Sequence, residues 1–335
     1  MKTSLVLTTI NKTNQNIKNI SLNSKKIKWD LIIIGDKKSP KNFKLKYGKY
    51  FSYNQQKKLN LSFAKKCPAN NYARKNIGYL ISIIKKNKII VETDDDNFPK
   101  KKFFSKKKII HKVNTIQNKN WINIYDLFVD KKNKGKIWPR GLPLTEINKN
   151  KIRINKKKND QVFYLQQGVC EKNPDVDAIY RLLNKKIDIK FKNFKIDLGK
   201  SISTFNSQNT IWFDEIFPLM YLPVTCPMRC TDILRSLIAQ KILYNDKKKI
   251  LFFGTTMFQN RNLHNLNSDF EQEIPMYLNN HKIYELLKKI KLKEKKENYF
   301  ENLIICYEAI IKANFISRQE LKFLKLWIKD LKKII

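Results

Sequence analysis

Apolar residues gather early in this chain into short runs whose length and flanks read as strands. Leu5-Val6-Leu7-Thr8-Thr9-Ile10 predicts a first strand, and Leu31-Ile32-Ile33-Ile34-Gly35-Asp36 a second, buried on both faces and closed by a turn. From Asn71 to Lys85 apolar side chains recur around most of a helical circumference, so a helix is expected there with Asn70 as its cap. A third strand, Ile89-Ile90-Val91-Glu92-Thr93, breaks directly into Asp94-Asp95-Asp96 before Asn97 and Pro99 stop it. Strand, connector, strand, helix, strand is the order of an α/β fold with a mostly parallel sheet. Ligands of such sheets bind beyond the carboxyl ends of the strands. Thr8, Thr9, Asp36 and Asp94 to Asp96 all fall there.

The rest of the chain is less regular. Lysine-rich residues 100–120 and polar residues 149–160 read as exposed loops. Ile137-Trp138-Pro139-Arg140-Gly141-Leu142-Pro143-Leu144 reads as a rigid turn. Gln166-Gln167-Gly168 and Asn173 to Arg181 read as a turn running into a helix. From about residue 282 the pattern is helical, with Leu286-Leu287, Phe323-Leu324 and Leu326-Trp327 set between lysines. The expected division is a ligand-binding domain over 1–280 and a helical C-terminal appendage over 281–335, with no internal repeat.

Charge alters this picture less than its size suggests. The net charge of +40 invites a nucleic-acid reading. Yet the cations are almost all lysines, spread through every segment in a chain equally heavy in Asn and Ile. That pattern explains solubility and weak attraction to polyanions, not specific nucleic-acid binding. The eight arginines (74, 140, 153, 181, 229, 235, 261 and 318) carry more information. Where lysine is the default cation, a guanidinium points to a need for planar, bidentate donors, and hence to anion handling. Five cysteines at irregular spacing do not make a zinc site, and reduced thiols are expected. The opening residues are too briefly apolar for a secretory signal, and no run is long enough to span a membrane. A cytoplasmic setting is expected, with peripheral contact at the inner membrane face open through charge.

The candidate chemistry centres on Asp94-Asp95-Asp96. Three adjacent acids repel one another, and a hard cation that also carries phosphate would hold them together. Mg²⁺ or Mn²⁺ takes one or two carboxylates plus substrate phosphates. In an extended chain Asp94 and Asp96 would share one side and Asp95 the other. The chain has no P-loop, no Gly-x-Gly-x-x-Gly and no Gly-x-Ser-x-Gly elbow. With only eight glycines, metal and arginine are left to hold phosphate.

The run from Asn71-Tyr72-Ala73-Arg74-Lys75 through Asp94-Asp95-Asp96 resembles the STELLO family of glycosyltransferase-like proteins. So do Trp138-Pro139-Arg140-Gly141-Leu142-Pro143, Pro174-Asp175-Val176-Asp177, Leu222-Pro223-Val224-Thr225 and Thr231-Asp232-Ile233-Leu234-Arg235-Ser236. The likeness covers roughly residues 4 to 280. It implies a glycosyltransferase-A type fold, one α/β Rossmann-like domain with helices on both faces of its sheet, in which an Asp-x-Asp motif and a divalent metal hold a nucleotide sugar. Plant members carry an N-terminal membrane anchor that these opening residues do not show, so their Golgi setting is not transferred.

On that resemblance Asp94 and Asp96 become metal and diphosphate ligands, with Asp95 nearer the ribose or sugar. His264 is a candidate to complete the metal shell, with a structural role as its alternative. Donor binding falls to Thr8, Asp36, Arg74, Lys75 and Asp95. For Arg74 the alternative is a pairing with Asp94 or Asp95, and for Asp36 a turn-forming role. Asp232 is the candidate base for the acceptor hydroxyl, with helix capping as its alternative. Arg229, Arg235, Arg261 and Arg140 are candidates for acceptor or phosphate, Arg140 alternatively a packed turn. The expected reaction moves a sugar from a nucleotide-diphosphate donor to a carbohydrate or lipid-linked acceptor in surface-polysaccharide synthesis. A catalytically silent scaffold of the same fold is the alternative.

Overall fold

The computed structural model describes all of residues 1–335 except 41, 42, 150, 185, 186, 263 and 264. Its strands are β1 (Thr3–Thr8), β2 (Asp30–Ile34), β3 (Lys49–Phe51), β4 (Ile89–Asp94), β5 (Asn97–Pro99), β6 (Ile110–Ile116), β7 (Ile154–Val162), β8 (Leu165–Gly168), β9 (Glu171–Lys172), β10 (Lys195–Asp197), β11 (Thr210–Phe213), β12 (Ile250–Phe253) and β13 (Met257–Gln259). The α-helices are α1 (Gln15–Lys26), α2 (Tyr53–Lys57), α3 (Ser62–Lys66), α4 (Lys75–Ile84), α5 (Tyr125–Phe128), α6 (Ala178–Leu183), α7 (Thr231–Asn245), α8 (Leu266–Lys289), α9 (Tyr299–Lys312) and α10 (Glu320–Lys332). No helix among the described residues is long and apolar enough to cross a membrane.

Ten strands form one sheet in the order β3-β2-β1-β4-β11-β8-β12-β10-β6-β7, and β5-β13-β9 form a small second one. The first four of that order run parallel, as the sequence predicts, whereas β11 runs antiparallel to both β4 and β8. The architecture is thus an α/β fold with a large mixed sheet flanked by helices, consistent with the glycosyltransferase-A type. Strand alternation sorts the core into two layers. Leu5, Leu7, Leu31, Ile33, Ile89 and Val91 pack with Ile17 and Ile20 of α1. Val6, Ile32, Ile34 and Ile90 pack on the other face with α4, α7, α9 and α10. Helix α4 lies close on β1, since a Cβ at Gly78 would meet Val6 at 2.5 Å.

Several local expectations are corrected. The connector between the first two strands holds α1, capped by Asn14 through the backbone N–H of Ile17. Its buried Asn16, Ser21 and Ser24 broke the apolar period that would have revealed it. Asn71, not Asn70, caps the 3₁₀ turn Tyr72–Arg74 that leads into α4. The segments read as loops at 100–120 and 149–160 contain β6 and β7, an antiparallel pair. None of the nine residues of β7 is buried, so this edge strand is lysine-rich on both sides and shows no core face. Gln166 to Gly168 lie in the buried strand β8 rather than a turn. There Gln166 donates to the carbonyls of Lys108 and Phe163, which lets a carboxamide sit in a central strand.

The boundary expected after residue 280 falls within α8. The helices beyond it contribute Tyr299, Leu303, Trp327 and Leu331 to the main core. They also bind back to the body of the fold. Asp330 accepts the backbone N–H groups of Ser62 and Phe63 at the start of α3, at 2.9 and 2.7 Å. Glu320 accepts those of Val224 and Thr225.

Between β4 and α7 lies a buried ion pair, Glu92 with Arg235, at 2.8 Å. Trp212 Nε1 donates to the same carboxylate at 2.8 Å, and the Tyr79 hydroxyl donates to its other oxygen. Burial alone would raise the Glu92 pKa, but the charges of Arg235 and Lys75 outweigh it and hold it below the usual value. Its contribution to stability is therefore present at neutral pH and lost as pH falls through that lowered value. Arg235→Met should cost about 3–5 kcal/mol in urea unfolding at pH 7, because it strands a buried carboxylate.

Candidate functional site

Beyond the carboxyl ends of β1, β2 and β4 opens a cleft of about 830 Å³. The first hundred residues line it with Thr8, Thr9, Asp36, Tyr72 and the three aspartates, the later ones with Arg140, Asp175, Arg229, Asp232, Gln259 and Arg261. The antiparallel course of β11 adds the segment preceding that strand to the same edge of the sheet.

The strand β4 ends at Asp94, and Asp95 and Asp96 form a turn. The alternation expected of an extended chain therefore does not apply, and all three aspartates line the cleft. Each is held differently. Asp94 accepts from the Lys75 ammonium and the Tyr72 hydroxyl, both at 2.8 Å. Asp95 accepts from Thr9 Oγ1 at 2.5 Å and Asn11 Nδ2 at 2.8 Å. Asn16, reaching in from α1, donates to the Asp95 and Asn97 carbonyls at 2.9 and 2.7 Å and so pins the turn. Asp96 accepts from Gln259 Nε2 at 2.8 Å, and no lysine or arginine among the described residues forms an ion pair with it. Burial, then the charges of Asp94 and Asp95, push its pKa up to about 6.

Arg140 is buried between two carboxylates. It grips Asp175 bidentately, Nε and Nη2 at 2.8 and 2.9 Å, and reaches Asp232 at 3.1 Å. Burial opposes its charge, yet Asp175 and Asp232 outweigh burial and raise its pKa. Burial likewise works against the Asp175 carboxylate, but Arg140 lowers its pKa. Asp232 lies in the first turn of α7 without capping it. Its second oxygen also accepts from the Ser207 backbone at 3.2 Å. Two further arginines are fixed by α8: Arg229 pairs with Glu273 at 2.6 Å, and Arg261 with Asp269.

The cleft thus gathers Thr8, Asp36, Asp94, Asp95, Asp96, Arg140, Arg229, Asp232 and Arg261. Other expected site residues are placed elsewhere or bound to neighbours. Lys75 stands behind Asp94 with its side chain fully buried. Arg74 also borders the cleft, but its guanidinium donates to Gln56 and to the carbonyls of Cys67 and Pro68, and it pairs with neither Asp94 nor Asp95. Arg235 lies in the core against Glu92. Asp36 accepts the backbone N–H groups of Asn70 and Asn71 at 2.8 and 3.1 Å, tying that turn to the end of β2. His264 lies outside the described residues. Among the described residues no group of three or more His, Cys, Asp or Glu side chains is arranged to hold a metal. Sequence reasoning gave no role to Tyr72, Asp175 and Gln259, although Tyr72 and Asp175 stand inside its motifs. Asn11 and Asn16 were hidden by the abundance of asparagine.

The family model described as STELLO glycosyltransferases matches residues 229–335. Two proteins of Arabidopsis thaliana, named probable glycosyltransferase STELLO1 and probable glycosyltransferase STELLO2, are each 25% identical to this chain. Each alignment covers 90% of this chain and 41% of the relative. The chain therefore spans about two fifths of the length of the curated relatives it matches. The resemblance read from the motifs is borne out. It also extends past residue 280, through the C-terminal helices in which no motif was read.

The raised Asp96 pKa sets a pH signature. Its ordinary value is 3.8 and its folded value about 6, so the folded state favours the protonated form. That contribution is complete below about pH 4 and is lost as pH rises through 6. A cation at the turn favours the carboxylate, so Mn²⁺ binding at pH 5 should release about one proton, falling toward none at pH 8. Calorimetry in buffers of different ionisation enthalpy measures this, and Asp96→Asn should abolish the difference.

Proposed function

We propose that this chain is a metal-dependent glycosyltransferase, moving a sugar from a nucleotide-diphosphate donor to a carbohydrate or lipid-linked acceptor in surface-polysaccharide synthesis. The observation that carries the reading is the aspartate turn at the end of β4. Asp96, which lines the cleft and feels the charges of Asp94 and Asp95, has no lysine or arginine partner among the described residues. That excess of negative charge fits Mn²⁺ or Mg²⁺, which needs only one or two carboxylates when a substrate supplies phosphate oxygens. Asp94 and Asp96 would hold the ion, with His264 retained as a third candidate. Bound there, the metal would offset charge on the departing nucleoside diphosphate.

The chain's own residues supply the rest. Lys75 holds Asp94, and Asn16, Thr9 and Asn11 hold Asp95, so the turn is fixed before a ligand arrives. Such preorganisation keeps charges from having to reorient during reaction. Arg229 and Arg261, fixed by α8, give the opposite side of the cleft its positive charge. Asp232, held in place by Arg140 and Ser207, takes the acceptor hydroxyl proton.

One observation favours a second reading, a catalytically silent relative that binds a partner enzyme. Arg140 and Asp232 bond to each other, as do Lys75 and Asp94, so much of the site's charge is matched internally. Two experiments separate the readings. Thermal-shift screening against nucleoside diphosphates with Mn²⁺ should give a metal-dependent rise in Tm that Asp94→Ala with Asp96→Ala abolishes; an unchanged shift in that variant would sink the proposal. Asp232→Asn should keep donor binding while lowering kcat by about 10²–10⁴. A silent protein has no turnover to lose.

A further inference from the structure

Helix α8 has two unlike sides. Its buried acids, Asp269 and Glu273, hold the cleft arginines Arg261 and Arg229. On its outward side Phe270, Ile274 and Leu278 recur every four residues, and Leu278 is 61% exposed. Side chains four apart on a helix share one face. Tyr277 links this stripe to α6. Its ring lies 5.9 Å from that of Phe270, and its hydroxyl accepts the Ile179 N–H. One turn beyond Ile179 on α6 come Leu182 and Leu183, the latter 74% exposed. Met228, at the cleft itself, is 51% exposed and precedes Arg229, whose guanidinium is bound to α8. An apolar band thus runs from α6 across α8 to the rim of the cleft.

We propose that this band docks the protein on an anionic lipid surface, with the cleft mouth turned toward the bilayer. Exposed apolar bands of this kind mark interaction sites. The occupant follows from charge: the chain carries +40, and the exposed Lys282, Lys288 and Lys289 continue α8 beyond the stripe, against the exposed acid Glu271 and Glu285, which pairs with Lys288 at 3.4 Å. Apolar side chains entering the headgroup boundary beside lysines that attract anionic lipids are the two parts of interfacial binding. The inference rests on the lipid-linked acceptor of the proposed function, whose reacting end would then be presented at the cleft rim.

Flotation with vesicles of phosphatidylcholine, with and without phosphatidylglycerol, tests it on the full chain. Wild type should bind only the anionic vesicles, more weakly as salt rises. Phe270→Ser, Ile274→Ser and Leu278→Ser together should weaken binding at least tenfold, while Tm and the metal-dependent nucleotide shift stay unchanged. Leu278→Ser alone serves should the triple variant fail to fold, and should weaken binding in the same direction. No vesicle binding by wild type, or equal binding by the variants, overturns the proposal. So does a dimer seen by light scattering that the triple variant abolishes, which would assign the band to a second copy. Because vesicle binding is read without nucleotide, its failure is distinct from failure of the donor site.

Discussion

One buried ion pair, Glu92 with Arg235, joins the two sides of the cleft. Glu92 lies on β4 two residues before Asp94, and Arg235 lies on α7 three residues after Asp232. The pair therefore fixes the strand that carries the aspartate turn against the helix that carries the candidate base. Such a pair overcomes its desolvation only when its remaining lone pairs and donors are met. Tyr79 from α4 and Trp212 from β11 meet the carboxylate; the guanidinium also donates to the Asn206 carbonyl and lies over the Trp212 ring at 5.0 Å, its Nε alone being left without a hydrogen-bond partner among the described residues. Four elements converge on one carboxylate, and the cleft opens just above it.

The same economy of charge recurs at the surface of the cleft. Arg140 joins the 138–142 turn to Asp175 and Asp232, and through them to α7 and to the segment before β11. Arg229 and Arg261 are carried by other segments but are aimed by α8. Arginines that looked like free anion ligands are thus bound first to the protein. Among the described residues, Asp95 and Asp96 of the turn are met by neutral donors and by no lysine or arginine.

The sequence made legible whatever its apolar periodicity or local acidity recorded directly. The parallel strands β1, β2 and β4, helix α4 and the acidic run at the end of β4 were readable because their flanks are sharp; the short strand β3 was not read. Helix α1 was not, since Asn16, Ser21 and Ser24 are buried for hydrogen bonding and pack where apolar residues would normally signal a face. Strand β7 was missed for the opposite reason: no residue on it is buried. The arginines were singled out for anion handling, but a sequence cannot tell whether a guanidinium is held by groups of its own chain or left for a ligand. Arg235 is held by a carboxylate of its own chain, and Arg74 by Gln56 and two backbone carbonyls.

The position of Glu92 has a consequence for how this chain acquires its structure during synthesis. Its strand can pair with β1 early, but its other neighbour, β11, and its counter-charge on α7 are made much later. Until then the nascent sheet ends in an open edge that bears a carboxylate destined for burial, with Lys75 of α4 offsetting its charge and its Arg235 partner still to come. Folding dominated by such distant pairings is slow and leaves edges exposed to association. A carboxylate on an open strand edge is one of the devices that oppose pairing with another chain.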